Sequence, residues 1–152
     1  MTTALRHASA ALVLLGLGAG PALAEGHSAM PTGDAAAGET QFSRQCVSCH
    51  VVVNDEGDTL AGRNARTGPN LFGVIGHPVA GVEGYRYGDD IVAVGETGRI
   101  WDEESFVAYV MDPTGWLREE TGDRRARGKM AYQVRDAQQA ADIYAYLHGL
   151  GD

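Results

Sequence analysis

Five consecutive residues, Cys46-Val47-Ser48-Cys49-His50, carry the strongest chemical signal in the chain. Two thiols three positions apart on one helical turn can add to the two vinyl groups along one edge of a porphyrin, while the next residue turns its imidazole under the iron. C-x-x-C-H is thus the attachment signal of one covalently bound c-type haem, with Cys46 and Cys49 as anchors and His50 as an axial iron ligand. Two other readings of the same residues are weaker. A thioredoxin-like thiol pair needs a strand before it, and the preceding DAAAGETQFSRQ reads as helix. A structural zinc site lacks further cysteines, and adjacent Cys49 and His50 are an awkward chelate.

A monohaem protein that passes electrons needs a six-coordinate iron, because a ligand that enters or leaves on reduction adds reorganisation energy. The sixth ligand must therefore be soft and near neutral, and a methionine sulfur opposite His50 satisfies this. Beyond the leader the chain offers Met30, Met111 and Met130. Met30 lies in an irregular lead-in, and Met111 ends a helix, where a methionine commonly fills a core. Met130 follows Gly128-Lys129 at the end of an irregular stretch, a position from which a loop can reach an iron.

Residues 1–24 run from Arg6 through the apolar Ala10 to Leu17 to Ala22-Leu23-Ala24, the order of a cleaved secretory signal peptide. The apolar run is shorter than the roughly 20 residues of a membrane span, so the expectation is export to the periplasm with no permanent membrane insertion. Residues 25–33, EGHSAMPTG, read as a flexible lead-in to a single domain over 34–152. The 152 residues carry 12 Lys+Arg against 20 Asp+Glu, and loss of the leader removes Arg6 and no acid, leaving 11 against 20, or −9. With Lys129 its single lysine, the chain is a poor candidate for binding nucleic acid.

The elements that would position these residues are short. Asp34 caps a helix to about Gln45, with Gly38 and Phe42 on one face. Residues 136–150 place Ile143, Tyr146, Leu147 and Leu150 on one amphipathic stripe, and this helix should pack across the first. Residues 102–111 read as a helix stopped before Pro113, and 89–94 as a short one, with 51–66 and 117–129 as loop. Helices this short are marginal alone, so the chain without haem is expected to be largely unfolded.

From Asp34 to about Gly149 the chain resembles the class I c-type cytochromes, especially the larger soluble kind of bacterial periplasm. Besides Cys46 to His50, the resemblance rests on Thr67-Gly68-Pro69-Asn70-Leu71, Gly84-Tyr85-Arg86-Tyr87, Trp101, the segment Tyr109 to Trp116 and Gly128-Lys129-Met130, in the family's order. It implies an all-α cytochrome c fold of few short helices and long loops around one haem. It places the axial methionine at Met130 and the acceptor for the second His50 nitrogen at the Pro69 carbonyl. Tyr87 and Trp101 resemble the family's donors to a buried propionate, and Tyr109 the tyrosine near the methionine sulfur. Two departures stand out. His77 replaces an arginine near a propionate, which would make the potential depend on pH, and scattered arginines replace the lysines around the haem edge.

The resemblance implies a monomeric, non-enzymatic carrier that moves one electron from a membrane cytochrome bc complex to a terminal oxidase, reaction centre or periplasmic reductase through weak, transient contacts. The Arg-rich stretch Arg118 to Lys129, partly cancelled by Glu119, Glu120 and Asp123, reads either as a patch that steers an acidic partner or as an ordinary solvated loop. The competing readings are a haem gas sensor or peroxidase with an open sixth site, for which His27 or His148 would have to serve as distal base, and a dedicated electron-transfer subunit of a dehydrogenase or oxidase.

Overall fold

The computed structural model describes residues 30–151. The expected signal peptide, His27 and most of the lead-in lie outside the described residues. Helix α1 (Ala35–Gln45) begins where Asp34 accepts hydrogen bonds from the Ala36 and Ala37 amides, satisfying two of the donors a helix start leaves open. The chain then turns through β1 (Val52–Val53) and β2 (Thr59–Ala61), α2 (Asp89–Glu96), α3 (Glu103–Met111), α4 (Pro113–Thr121) and α5 (Ala137–Gly151). Four of these helices match the expected ones within three residues at each end.

Two stretches read as loop contain regular structure. β1 and β2 form a small antiparallel pair, Val52 opposite Ala61 and Val53 opposite Thr59, with an irregularity between the two rungs. The second is α4, which takes in residues 117–121. Asp112 closes α3 and also caps α4, accepting from the Gly115 amide at 2.9 Å, and Pro113 occupies the first turn, where its missing N–H costs nothing. Pro113 therefore ends one helix and opens another. Trp116 and Leu117 are the buried face that holds α4 in place.

α1 and α5 cross with backbone in contact. A Cβ at Gly38 would collide with the Asp142 carbonyl, so only glycine fits there. The buried Asp142 carboxylate accepts from the Asp34 amide at 2.8 Å and from Gln138 Nε2 at 2.9 Å, which ties the start of α1 to the middle of α5. Gln45 Nε2 donates to Gln139 Oε1 at 2.9 Å near the other end of the crossing. The lead-in is anchored as it enters the domain: Thr32 donates twice to Glu103 of α3, and a Cβ at Gly33 would strike the Ala141 backbone.

The apolar side chains form two clusters. Phe42, Val52, Phe106, Val110, Ile143 and Leu147 centre the first, and Val79, Ile91, Val94, Trp116 and Leu117 the second. Trp101 and Tyr109, both partly buried, pack against each cluster and join them. No helix among the described residues is long and apolar enough to cross a membrane.

Candidate haem-binding cleft

Between the two clusters lies a cleft of about 280 Å³. Cys46, Cys49 and His50 line it, because the backbone continues the α1 winding past its last residue: the amides of Cys49 and His50 both donate to the Cys46 carbonyl, at 3.0 and 2.9 Å. Met130 lines the same cleft from the loop between α4 and α5. The other two candidate methionines do not. Met30 is 82% exposed, and Met111 packs against the first apolar cluster at the end of α3.

The His50 ring is held by a turn. Its Nδ1 lies 3.1 Å from the Pro69 carbonyl. A carbonyl only accepts, so Nδ1 carries the proton and Nε2 keeps its lone pair free for a metal. A Cβ at Gly68 would run into the imidazole, so the turn presses flat against the ring only because residue 68 has no side chain. Asn70 locks this turn to the strand after His50: its Oδ1 accepts from the Val53 amide at 2.9 Å and its Nδ2 donates to the Val53 carbonyl at 2.7 Å. The Gly68 amide donates to the Cys49 carbonyl at 2.8 Å and that of Leu71 to Val51 at 2.9 Å. Burial holds the His50 pKa below its ordinary value, against the opposing pull of the Pro69 carbonyl, and so favours the neutral imidazole.

Cys46 and Cys49 are not joined in a disulfide. Burial, followed by the neighbouring Cys49 charge, pushes Cys46 up to about 12, which makes it a protonated thiol near neutrality rather than the low-pKa nucleophile of a redox pair. No cluster of three or more His, Cys, Asp or Glu among the described residues offers a protein-only metal site. Two free thiols, an imidazole with one nitrogen tethered and a thioether, around walls that include Leu71, Val74, Ile91, Phe106, Leu117 and Leu147, fit a haem in donor chemistry and in polarity.

Tyr87, Trp101, Tyr109 and Pro69 also line the cleft. Tyr109 stands between Trp101 and Trp116, with ring centroids 5.1 and 5.4 Å away. Burial, then the nearby Tyr85 and Tyr87 charges, pushes its phenol up to about 12. Tyr87 is also raised by burial, against a hydrogen bond to the Val82 backbone and with a further rise from Tyr85. His77 is exposed, with Nδ1 3.2 Å from the Ile75 carbonyl, and is not among the residues lining the cleft. His148 lies on α5, its ring 6.3 Å from Tyr144, and does not line the cleft either.

A shell of short helices around an apolar cleft with this donor set defines a covalent monohaem protein. No family model matches the chain, but individual proteins do. It is 58% identical to cytochrome c2 of Rhodovulum adriaticum over 120 residues, 79% of this chain and 94% of that protein. With cytochrome c-551 of Roseobacter denitrificans it shares 49% over 115 residues, 76% and 79% of the two chains. The solved structure of cytochrome c2 from Rhodobacter sphaeroides superposes with a TM-score of 0.76 at 46% identity, covering 78% of this chain and 97% of that one. The chain belongs to the cytochrome c2 and c-550 family of class I c-type cytochromes. It carries one covalent haem c and moves electrons between redox partners without acting as an enzyme.

Proposed function

We propose that this chain is a monomeric periplasmic shuttle that takes one electron from a membrane cytochrome bc complex and passes it to a terminal oxidase, a photosynthetic reaction centre or a periplasmic reductase. Residues 1–24 serve as a cleaved signal peptide, so that the mature chain begins at Glu25. The observation that carries the reading is the lining of the cleft: His50, with Nδ1 occupied, and Met130 share it, and no second imidazole and no carboxylate lines it among the described residues. A sensor or peroxidase needs a vacant sixth position and usually a distal acid or base, and His148 lies elsewhere.

Cys46 and Cys49 anchor the group through thioether bonds, and His50 and Met130 ligate its iron. The haem supplies the one-electron couple. The chain's own task is to keep both ligands in place in either oxidation state. Pro69 would fix the His50 tautomer and plane, Tyr87 and Trp101 would donate to a propionate, and Tyr109 would lie near the Met130 sulfur. Docking is transient and uses basic side chains: Arg127 and Lys129 line the cleft, and Arg66, Arg86, Arg124 and Arg125 are exposed. Long-range steering by such charges raises the encounter rate with an acidic partner and weakens with salt.

The test is electron exchange with purified holoprotein. Membranes bearing a cytochrome bc complex and quinol should reduce it by one electron per chain, more slowly as salt increases, and carbon monoxide should leave the reduced spectrum unchanged. Prompt carbon monoxide binding would instead support a sensor or peroxidase. Stable co-purification with a larger redox subunit would support a dedicated partner over a shuttle.

A further inference from the structure

Among the described residues, Ala80 is the one non-glycine with a left-handed backbone, at φ +59°. It is the third residue of a tight turn, Pro78 to Gly81, closed by the Gly81 amide donating to the Pro78 carbonyl at 3.1 Å. A type II turn reserves that position for glycine, because a Cβ at positive φ crowds the backbone. A residue held in such a conformation persists only where its surroundings over-determine it.

Three contacts do so here. Val79 is buried in the second apolar cluster, and its amide donates to the Arg99 carbonyl at 2.9 Å. Its carbonyl presses on α2 where Gly95 leaves room: a Cβ at Gly95 would come within 2.1 Å of that oxygen. The Ala80 methyl packs against the same cluster, 3.7 Å from where the Gly95 Cβ would sit. The methyl that makes the conformation costly therefore also seats the turn on α2.

The turn ends a segment that grips Trp101 by its backbone. The Gly76 amide donates to the Trp101 carbonyl and the Trp101 amide to the His77 carbonyl, both at 2.9 Å, while Pro78 pairs with Ile100. Alternation along these paired residues turns Val79 and Trp101 inward and Pro78 and Ile100 outward, and the latter two are exposed. The Trp101 indole lines the cleft and stacks on Trp116, with centroids 5.5 Å apart and planes 25° apart. Trp101 itself belongs to no helix or strand, so its placement depends on this pairing.

We propose that Ala80 is a positioning residue for Trp101: its left-handed turn, seated on α2 at Gly95, locks residues 76–79 in register against 99–101 and so fixes the indole at the cleft wall. The proposal rests on the reading of Trp101 as a donor to a haem carboxylate. Relaxation of Ala80 to a negative φ lifts the Val79 carbonyl off α2 and loosens the Val79 bond to Arg99. Trp101 is then held only by Gly76 and His77, at the far end of the pairing.

The test uses ferric holoprotein, with amide hydrogen exchange and the reduction potential as readouts. Ala80→Val, whose β-branch disfavours the left-handed region, and Gly95→Ala, whose methyl meets the Val79 carbonyl, should each speed exchange of the Val79 and Trp101 amides roughly ten-fold or more. The Val134 amide, bonded to the Val110 carbonyl, should exchange as in the parent. Both variants should lower the potential, since a carboxylate that loses its indole donor favours ferric iron, and in a Trp101→Phe background Ala80→Val should lower it no further. Ala80→Gly adopts the same φ without strain, so it should keep the parent potential and exchange within about three-fold. Unchanged Trp101 exchange in Ala80→Val and Gly95→Ala, an Ala80→Gly variant that moves as far as Ala80→Val, or a potential drop that persists in the Trp101→Phe background would overturn the proposal. Failure of the donor reading shows separately, as a Trp101→Phe protein with the parent potential, and the exchange readout still decides the role of Ala80 in that case.

Discussion

At His50 the fold has to hold an imidazole neutral, oriented and with one nitrogen free, and it does so with a turn that has almost no side chain of its own. Gly68 is the test of that arrangement. In Gly68→Ala the new methyl meets the ring, whose Nε2 would be 2.7 Å away; either the turn retreats and the Pro69 bond lengthens, or the ring tilts. The expected result is a holoprotein about 1–3 kcal/mol less stable by denaturant titration, with a raised reduction potential because the imidazole loses the acceptor that raises its basicity and so favours the ferric state. An unchanged potential would mean that the Pro69 bond does not tune the metal. Tyr109 gives a second prediction at this scale. Its folded pKa of about 12 exceeds the ordinary 10.0, so the folded state holds the proton more tightly. That stabilisation is fully present below pH 10 and is lost as pH rises through about 12. Denaturation midpoints followed from pH 9 to 12 should fall more steeply for the parent than for Tyr109→Phe. The Cys46 to His50 chemistry is legible in sequence because one cofactor edge demands neighbouring residues. The role of Asn70 is not, since its partner lies 17 residues away and becomes a partner only once the chain has turned.

Among the elements, the crossing of α1 and α5 was the most legible and α4 the least. The crossing announces itself through an apolar stripe at helical spacing, and the close approach at Gly38 through the family resemblance. Gly38→Ala puts a Cβ into the Asp142 carbonyl, and backbone on both sides leaves no flexible side chain to yield. The loss should be about 3 kcal/mol, with Tm lowered by roughly 10–15 °C and the haem spectrum little altered at room temperature. A Tm within about 2 °C of the parent would show that the helices separate without cost, contrary to the contact described. α4 escaped notice because Pro113 reads as a stop and Arg118-Glu119-Glu120 as solvated loop. The residues that hold it, Trp116 and Leu117, are buried against α2 and the Val79 segment, a tertiary contact with no periodic trace in so short a helix. The small β1–β2 pair was hidden for a related reason, as two rungs are too few for an alternating pattern.

For the molecule as a whole, both apolar clusters contribute residues to the walls of the cleft. Cleft-lining residues come from α1, the turn at 67–71, the 84–88 segment, α2, α3, α4, the Met130 loop and α5, so the site is spread over nearly the whole domain. Only Cys46, Cys49, His50 and Met130 are readable one residue at a time as candidates, and all four line the cleft; the apolar walls depend on which face each short helix turns inward. The acidic net charge and the basic side chains at the cleft are likewise separate facts. The total of −8 is a property of composition, whereas the fold brings two basic side chains, Arg127 and Lys129, to the lining of the cleft. The central claim is that one thioether, on the Met130 loop, completes the ligand set begun by His50. The most direct measurement is the near-infrared spectrum of the ferric holoprotein beside those of Met130→Ala and Met111→Ala. The sulfur-to-iron band should be present in the parent and in Met111→Ala and absent in Met130→Ala. A band that survives in Met130→Ala, or a high-spin parent with no band at all, would contradict the account.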